Sequence, residues 1–207
     1  MPYPRLIPHL KERLTTLGFE TPLPAQETFL PPIKSGADLF CLAPKGSGRS
    51  TTLILSVVQR LKEETNSQIP RAIIFAKDKW ACQDLEEAFR PFLKGTNLDI
   101  FSAFDQHDIT GQRDTIYTGM DIVIGTPKRM CDLFLTNGLN TGDVEMMLVE
   151  DADFLAQNNM HSLIMRIAES SGKCQYVVFA EKMNSRMERF KDTFMHRARK
   201  AVVKTGA

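Results

Sequence analysis

The sequence predicts an α/β fold, an open and mainly parallel sheet with helices on both faces. Three observations predict it. Short apolar runs of strand length alternate with helix-length amphipathic segments along the whole chain. Several of those runs are apolar at consecutive positions, as strands covered on both faces must be. A Gly-rich loop and an acidic cluster each follow a strand candidate, which is where such sheets bind ligands.

Taken in order, a helix is expected over residues 6–17, with Gly18 placed to end it. The first strand candidate, 38–42, leads into a helix over 50–64. There Leu53, Ile54, Val57, Val58 and Leu61 share one face, and Gln59, Lys62 and Glu63 lie opposite. Strand candidates 71–76, 98–101, 121–124, 146–149, 175–179 and 201–203 follow. They are separated by helix candidates 80–93, 108–117, 128–135, 160–168 and 185–194, the last with Met187, Phe190 and Phe194 on one side. The polar stretches 63–68 and 137–142 read as surface loops. With no internal repeat and a pattern that runs nearly to the end, residues 1–207 are expected to form a single domain.

Apolar residues at 43% and charged residues at 25% are ordinary globular values that exclude a disordered tail. The balance of 26 Lys and Arg against 25 Asp and Glu leaves a formal charge of +1, so any surface for nucleic acid must be local. Cys41, Cys82, Cys131 and Cys174 are far apart, with no Cys-x-x-Cys pair and only four histidines. That pattern argues against zinc and for reduced, mostly buried thiols in an intracellular protein. Neither a secretory leader pattern nor a membrane-length apolar run is present, so a soluble protein with no membrane partner is expected. The methionines at 146, 147, 160, 165, 183 and 187 read as adaptable packing residues.

The run Ala-Pro-Lys-Gly-Ser-Gly-Arg-Ser at 43–50 joins the first strand to the long helix. Gly46 and Gly48 let the amides around Lys45 and Ser47 converge on an anion, and the helix adds its positive end. A working phosphate loop then uses a lysine on the β and γ phosphates and a hydroxyl on magnesium. Here Arg49 stands in the lysine's place and Ser50 keeps the hydroxyl. Arginine keeps the charge but presents a planar fork on a longer stem. Read alone, the stretch is also what an ordinary Gly-rich turn before a helix looks like.

The strand 146–149 runs into Glu150, Asp151 and Asp153. Carboxylates at the carboxyl end of a strand face the ligand crevice and suit magnesium and water positioning, although a solvated turn would look the same.

These pieces, in this order, resemble the amino-terminal RecA-like (P-loop NTPase) domain of the DEAD-box family of superfamily 2 RNA helicases, from about residue 10 to 204. Gly18 and Phe19, then Pro22, Pro24 and Gln26, resemble the adenine-recognising Q motif. The resemblance implies that Phe19 stacks near the base and Gln26 reads its edge. Pro31 and the Gly-Ala-Asp at 36–38 continue the pattern. Residues 76–81, Ala-Lys-Asp-Lys-Trp-Ala, with Gln83, stand in the place of Pro-Thr-Arg-Glu-Leu-Ala. Residues 121–129 follow the segment that ends in Thr-Pro-Gly-Arg. Glu-Asp-Ala-Asp at 150–153 stands where Asp-Glu-Ala-Asp names the family, and Phe-Ala-Glu-Lys-Met at 179–183 replaces Phe-Ser-Ala-Thr-Met.

The resemblance implies ATP bound by Phe19, Gln26, Lys45, Gly46, Ser47, Gly48, Arg49 and Ser50, with magnesium on Ser50 and Glu150 and water positioned by Asp151. It implies a single-stranded RNA backbone on Lys77, Lys79, Thr126, Pro127, Lys128 and Arg129, and coupling between the two through Ala180, Glu181 and Lys182. From the residues alone, Lys77 and Lys79 also fit a solvated loop and Arg129 a surface salt bridge. Trp80 is expected to pack on the core or a helix rather than to stack a base, and the basic run 196–200 to be a solvated end before the last strand.

Several of the family's catalytic groups are altered. Glu150 and Asp151 exchange the usual lengths, Arg49 replaces lysine, and neither 180 nor 182 keeps a hydroxyl. The second RecA-like domain, which the resemblance implies would supply arginines and close over RNA, is expected to lie outside residues 1–207. The expectation is therefore a degenerate DEAD-box-type domain with weak or absent ATPase and no unwinding alone, working as an RNA-binding or protein-docking module. Two alternatives stand beside it: a helicase half active with its partner domain, and a protein-interaction scaffold. In motif erosion it resembles the domains of Tudor-domain proteins of the germline small-RNA pathway, which implies a cytoplasmic, granule-associated location.

Overall fold

The computed structural model describes residue 3, residues 6–62 and residues 69–203. The whole of the 63–68 loop expectation lies outside them. In chain order the elements are α1 (Pro8–Thr16), α2 (Pro24–Lys34), β1 (Leu39–Leu42), α3 (Arg49–Leu61), β2 (Ala72–Phe75), α4 (Lys79–Leu93), β3 (Ile100–Ala103) and α5 (Ile109–Tyr117). There follow β4 (Ile122–Gly125), α6 (Pro127–Leu135), β5 (Met146–Val149), a 3-10 turn (Ala152–Gln157), α7 (Met160–Glu169), β6 (Gln175–Ala180), α8 (Ser185–Thr193) and β7 (Arg199–Val202).

Successive side chains of a strand point to opposite faces, and here both faces are greasy. On β1, Leu39 and Cys41 join a core layer with α1 to α4, while Phe40 and Leu42 join a second layer with α5 to α8. On β2, Ile74 and Ile73 divide in the same way. This two-sided burial explains why the strands read as continuous apolar runs. The sheet order is β3-β4-β2-β5-β6-β1-β7, and every neighbouring pair is parallel.

Each expected strand is found within two residues of its expected bounds. One helix is not: α2 was not anticipated, because Pro22, Pro24, Pro31 and Pro32 suggest an irregular segment. Pro24 opens the helix, where its missing N–H costs nothing, and Pro31 and Pro32 fall near its end. Ala25, Phe29 and Ile33, four apart, are buried and hold it against α3 and β1. The loop 137–142 is less exposed than expected, since Leu139 is buried in the second layer. Cys41, Cys82 and Cys131 are buried, Cys174 is half-buried, and all four are free thiols.

Because all strands run the same way, every loop after a strand emerges on one edge. Read across that edge they follow in the order 104–107, 126–129, 77–80, 150–153, 181–183 and 43–50. The expected RNA residues thus occupy one half and the expected nucleotide residues the other. Gly125 shows how closely the strand ends and helix starts pack: a Cβ there would lie 2.9 Å from the Ala103 carbonyl oxygen and collide with Met130.

Candidate functional site

The loop after β1 curls through left-handed residues at Gly46 (φ 79°) and Gly48 (φ 95°), and α3 begins immediately afterwards. No side chain caps α3, so its first amides stay available to an anion. A pocket of about 460 Å³ opens there, lined by Lys45, Gly46, Gly48, Arg49, Ser50, Glu150 and Asp151 among others. Lys45 is largely exposed and lies 3.8 Å from the Glu181 carboxylate. Ser47 turns inward, donating to the Pro44 carbonyl at 2.7 Å.

Arg49 is buried, and its guanidinium points to the acidic cluster, with Nη1 3.6 Å from Asp153 and 3.8 Å from Asp151. Those separations exceed hydrogen-bond reach, and both Arg49 Nη1 and Asp151 Oδ1 are buried without a hydrogen-bond partner. Burial and a hydrogen bond with Asp153 hold the Asp151 carboxyl above its ordinary range, against the pull of Arg49. For Asp153 burial pushes upward, but the shared bond with Asp151, the amides of Glu181 and Lys182, and Arg49 together hold it low. Of these, the Glu181 amide donates to Asp153 at 2.8 Å. Ala180 is buried at the end of β6, and its carbonyl accepts from Ala43. The segment 180–182 therefore joins the acidic cluster to the phosphate loop through backbone groups.

Ser50 Oγ donates to Glu150 Oε1 at 3.4 Å. Adjacent oxygens around magnesium lie about 2.9 Å apart, given metal–oxygen distances of about 2.05 Å, so a small closure makes the pair a fitting two-point ligand. Bound there, the ion would neutralise phosphate charge. Among the described residues no group of three or more His, Cys, Asp or Glu is arranged to hold a metal by itself.

Burial, and then the Asp151 charge, push the Glu150 carboxyl above its ordinary value of 4.5, with Ser50, Arg49 and Lys77 opposing. The native state consequently binds this proton more tightly than the unfolded chain does. Its contribution to stability is intact below pH 4.5 and is lost as pH rises through the higher native value. Glu150→Gln is therefore expected to melt progressively higher than the native protein as the medium is taken from acid to neutral. Melting curves that stay parallel across that range would refute it.

Of the Q-motif residues, Phe19 does not line this pocket, whereas Gln26 abuts the phosphate loop: the Ala25 amide donates to the Ser47 carbonyl at 3.3 Å, and a Cβ on Gly48 would lie 3.5 Å from Gln26 Nε2. Phe19 is half-exposed and tilts against Phe92, with ring centres 6.2 Å apart. Gln26 is buried, its Oε1 accepting from the Leu23 amide at 2.8 Å and the Tyr3 hydroxyl at 3.0 Å, while Nε2 has no partner. It lines a separate groove of about 1030 Å³ that also includes Tyr3, Leu30, Ile33 and Gln59. Tyr3 gives no motif signal in the sequence.

On the other half of the edge, Thr126 caps α6, accepting from the Arg129 amide, and Pro127 is the first residue of the helix. Three side chains meet at Asp105. Thr126 Oγ1 lies 3.3 Å from Asp105 Oδ2. Lys128 Nζ and Arg129 Nε lie 3.7 Å and 3.9 Å from Asp105 Oδ1. Arg129 Nη2 donates to the Asp105 carbonyl oxygen at 2.8 Å. Arg129 and Pro127 are buried, whereas Lys128 is well exposed. Sequence reasoning missed Asp105, a lone acid in a loop with no motif around it.

Lys77 lies 3.8 Å from the Asp78 carboxylate, and Asp78 itself caps α4 by accepting from the Ala81 amide. Lys79 donates to Gln106 Oε1 at 2.9 Å. The expectation that Trp80 packs inward is corrected: the side chain is 68% exposed at the start of α4. The apolar demand of that helix is already met by Cys82, Leu85 and Phe89. The basic run 196–200 is exposed at His196, Arg197, Arg199 and Lys200, but it does not end before the last strand as expected: Arg199 and Lys200 open β7, and Lys200 pairs with Glu188 at 2.8 Å.

The DEAD/DEAH box helicase family pattern matches residues 23–186. A segment of 162 residues is 27% identical to the pre-mRNA-processing ATP-dependent RNA helicase prp-5 of Neurospora crassa, covering 75% of this chain and 14% of that protein. Over 200 residues the chain is 24% identical to eukaryotic initiation factor 4A of Caenorhabditis elegans, covering 94% of this chain and 49% of the relative. The crystal structure of a DEAD box protein from Methanococcus jannaschii superposes with a TM-score of 0.88 at 19% identity, over 97% of this chain and 55% of that one. The yeast DEAD-box splicing factor Prp28 does so with a TM-score of 0.85 at 18% identity, over 98% and 51%. The chain thus spans about half, or less, of the proteins it matches.

Proposed function

The chain belongs to the DEAD/DEAH box helicase family, and from that premise we propose that it is a degenerate family domain that binds single-stranded RNA and has little or no ATPase. The family implies RNA, ATP and magnesium. The erosion of the nucleotide side and the docking role are our reading.

The observation that carries it is the convergence on Asp105. A hydroxyl, an ammonium and a guanidinium at a helix amino terminus gather round one carboxylate, and groups arranged in that way suit a backbone phosphate without reading bases. On the nucleotide side, Arg49 is buried against Asp151 and Asp153, so its charge is already engaged by carboxylates. Hydrolysis also needs water exclusion and added positive charge, which we assign to a second RecA-like domain outside this chain. The same erosion supports kinship with the degenerate domains of Tudor-domain proteins of the germline small-RNA pathway, with docking to protein partners there and a cytoplasmic, granule-associated location.

A second reading, an ATP-dependent helicase half that works when joined to its partner domain, is favoured by the retained Gly46, Gly48 and the Ser50–Glu150 pair. A pure protein scaffold is disfavoured, because the residues around 77, 79, 128 and 129 lie on neighbouring strand ends.

Equilibrium binding of labelled single-stranded RNA, with and without ATP and magnesium, separates these readings. The Lys128→Ala, Arg129→Ala double variant is expected to bind about tenfold more weakly or worse, with a salt dependence shallower by about two ion equivalents. Equal binding by a variant that still melts cooperatively would sink the RNA reading. RNA binding tightened by ATP would instead support the helicase half.

A further inference from the structure

The exposed indole of Trp80 has no role in the contacts described so far. It stands at the amino terminus of α4, on the strand end next to the Thr126, Lys128 and Arg129 site. Lys79 places its ammonium 5.2 Å from the centre of the indole and 5.6 Å from that of Phe104. Its hydrogen bond goes to a neutral amide, that of Gln106, and among the described residues no carboxylate lies within 4.0 Å of it. The surroundings are thus a large flat ring, mostly in water, with an uncompensated cation beside it and a cationic helix start on the adjacent strand.

We propose that Trp80 is a base-stacking platform for single-stranded RNA, with Lys79 taking the neighbouring phosphate. The inference rests on the RNA reading above and extends it from the backbone to the bases. A π-face accepts any base, so the platform adds affinity without sequence preference, and the phosphate contacts set the register of the strand. A protein partner would also value an exposed tryptophan. The cation at the ring and the anion site beside it favour a ligand that alternates flat rings with negative charges.

Trp80 is the only tryptophan in the chain, so its emission reports this site alone. The 207-residue protein is titrated at near-physiological salt with a single-stranded oligoribonucleotide and with a ribose-phosphate oligomer of the same length that lacks bases, and binding is followed independently by anisotropy. The oligoribonucleotide is expected to quench the emission, and the base-free oligomer to bind more weakly without quenching. Trp80→Ala is expected to lose about tenfold in affinity for the base-bearing RNA and little for the base-free oligomer, and Trp80→Phe to recover most of the loss. RNA that binds without quenching and equally well to Trp80→Ala would overturn the platform, leave the RNA reading intact and assign the indole to a protein partner. No binding of either oligomer to the native protein would overturn both.

Discussion

Asp105→Asn is expected to tighten single-stranded RNA binding about tenfold. On the RNA reading proposed above, the carboxylate holds the position a phosphate would take, 3.7 Å from Lys128 and 3.9 Å from Arg129. An incoming phosphate must displace or outbid it. At about 4 Å and an effective dielectric between that of water and about 20, one unit charge is worth about 1 to 4 kcal/mol against another. The site is half open to solvent, so the lower part of that range applies, and about 1.4 kcal/mol is tenfold. Asparagine keeps the shape and an acceptor, and the Arg129 bond to the backbone carbonyl of residue 105 is unaffected. The salt dependence should steepen as well, because two cations are released to exchange counterions for phosphate. Anisotropy titrations at three salt concentrations test it, and an unchanged affinity would show that the phosphate does not compete for this place.

The largest effect on stability is expected at the opposite edge of the sheet, from Asp121→Ala. Arg71 and Asp121 are both buried. Asp121 Oδ1 accepts from Arg71 Nη2 at 2.7 Å and Nε at 3.1 Å, and its Oδ2 accepts from the Asp99 amide at 3.0 Å. The pair joins the starts of β2 and β4 to the segment entering β3. Removing the carboxylate strands a buried guanidinium and an amide together, which costs about 3 to 5 kcal/mol. Glu145, 3.6 Å from Arg71, recovers part of this and places the expectation near the lower figure. The double variant Arg71→Met, Asp121→Leu should be markedly more stable than the single one, since no charge is then left buried. Urea unfolding measures both, and a single variant within about 1 kcal/mol of the native protein would contradict this account.

Fold and site were not equally legible. The strands could be read because burial on both faces makes each an uninterrupted apolar run, as at Ile73, Ile74 and Phe75 on β2. Helix α3 was nearly as plain, with two corrections: Gln59, read as part of its polar face, is buried and accepts from the Ile7 amide at 2.8 Å, and the helix ends at Leu61, with Glu63 and Glu64 outside the described residues. Helix α2 was obscured because its prolines carry a strong local signal, whereas the spacing of Ala25, Phe29 and Ile33 that holds it is sparse. Trp80 misled for a related reason: a large apolar residue at a helix start suggests packing, and only the completed core under α4 shows that no room was needed for it.

The order of the strands and of every helix but α2, the two-sided core and the gathering of the motif loops on one edge were determined by the sequence alone, because they follow from short-range periodicity and the single direction of a parallel sheet. The tertiary structure alone decided which charges meet. Arg49 reaches Asp151 and Asp153, and Asp105 settles among Thr126, Lys128 and Arg129. The physical reason is that Coulomb and hydrogen-bond partners are set by separations of a few ångströms in space, and strands β3, β4, β2 and β5 are neighbours in an order that the chain does not follow.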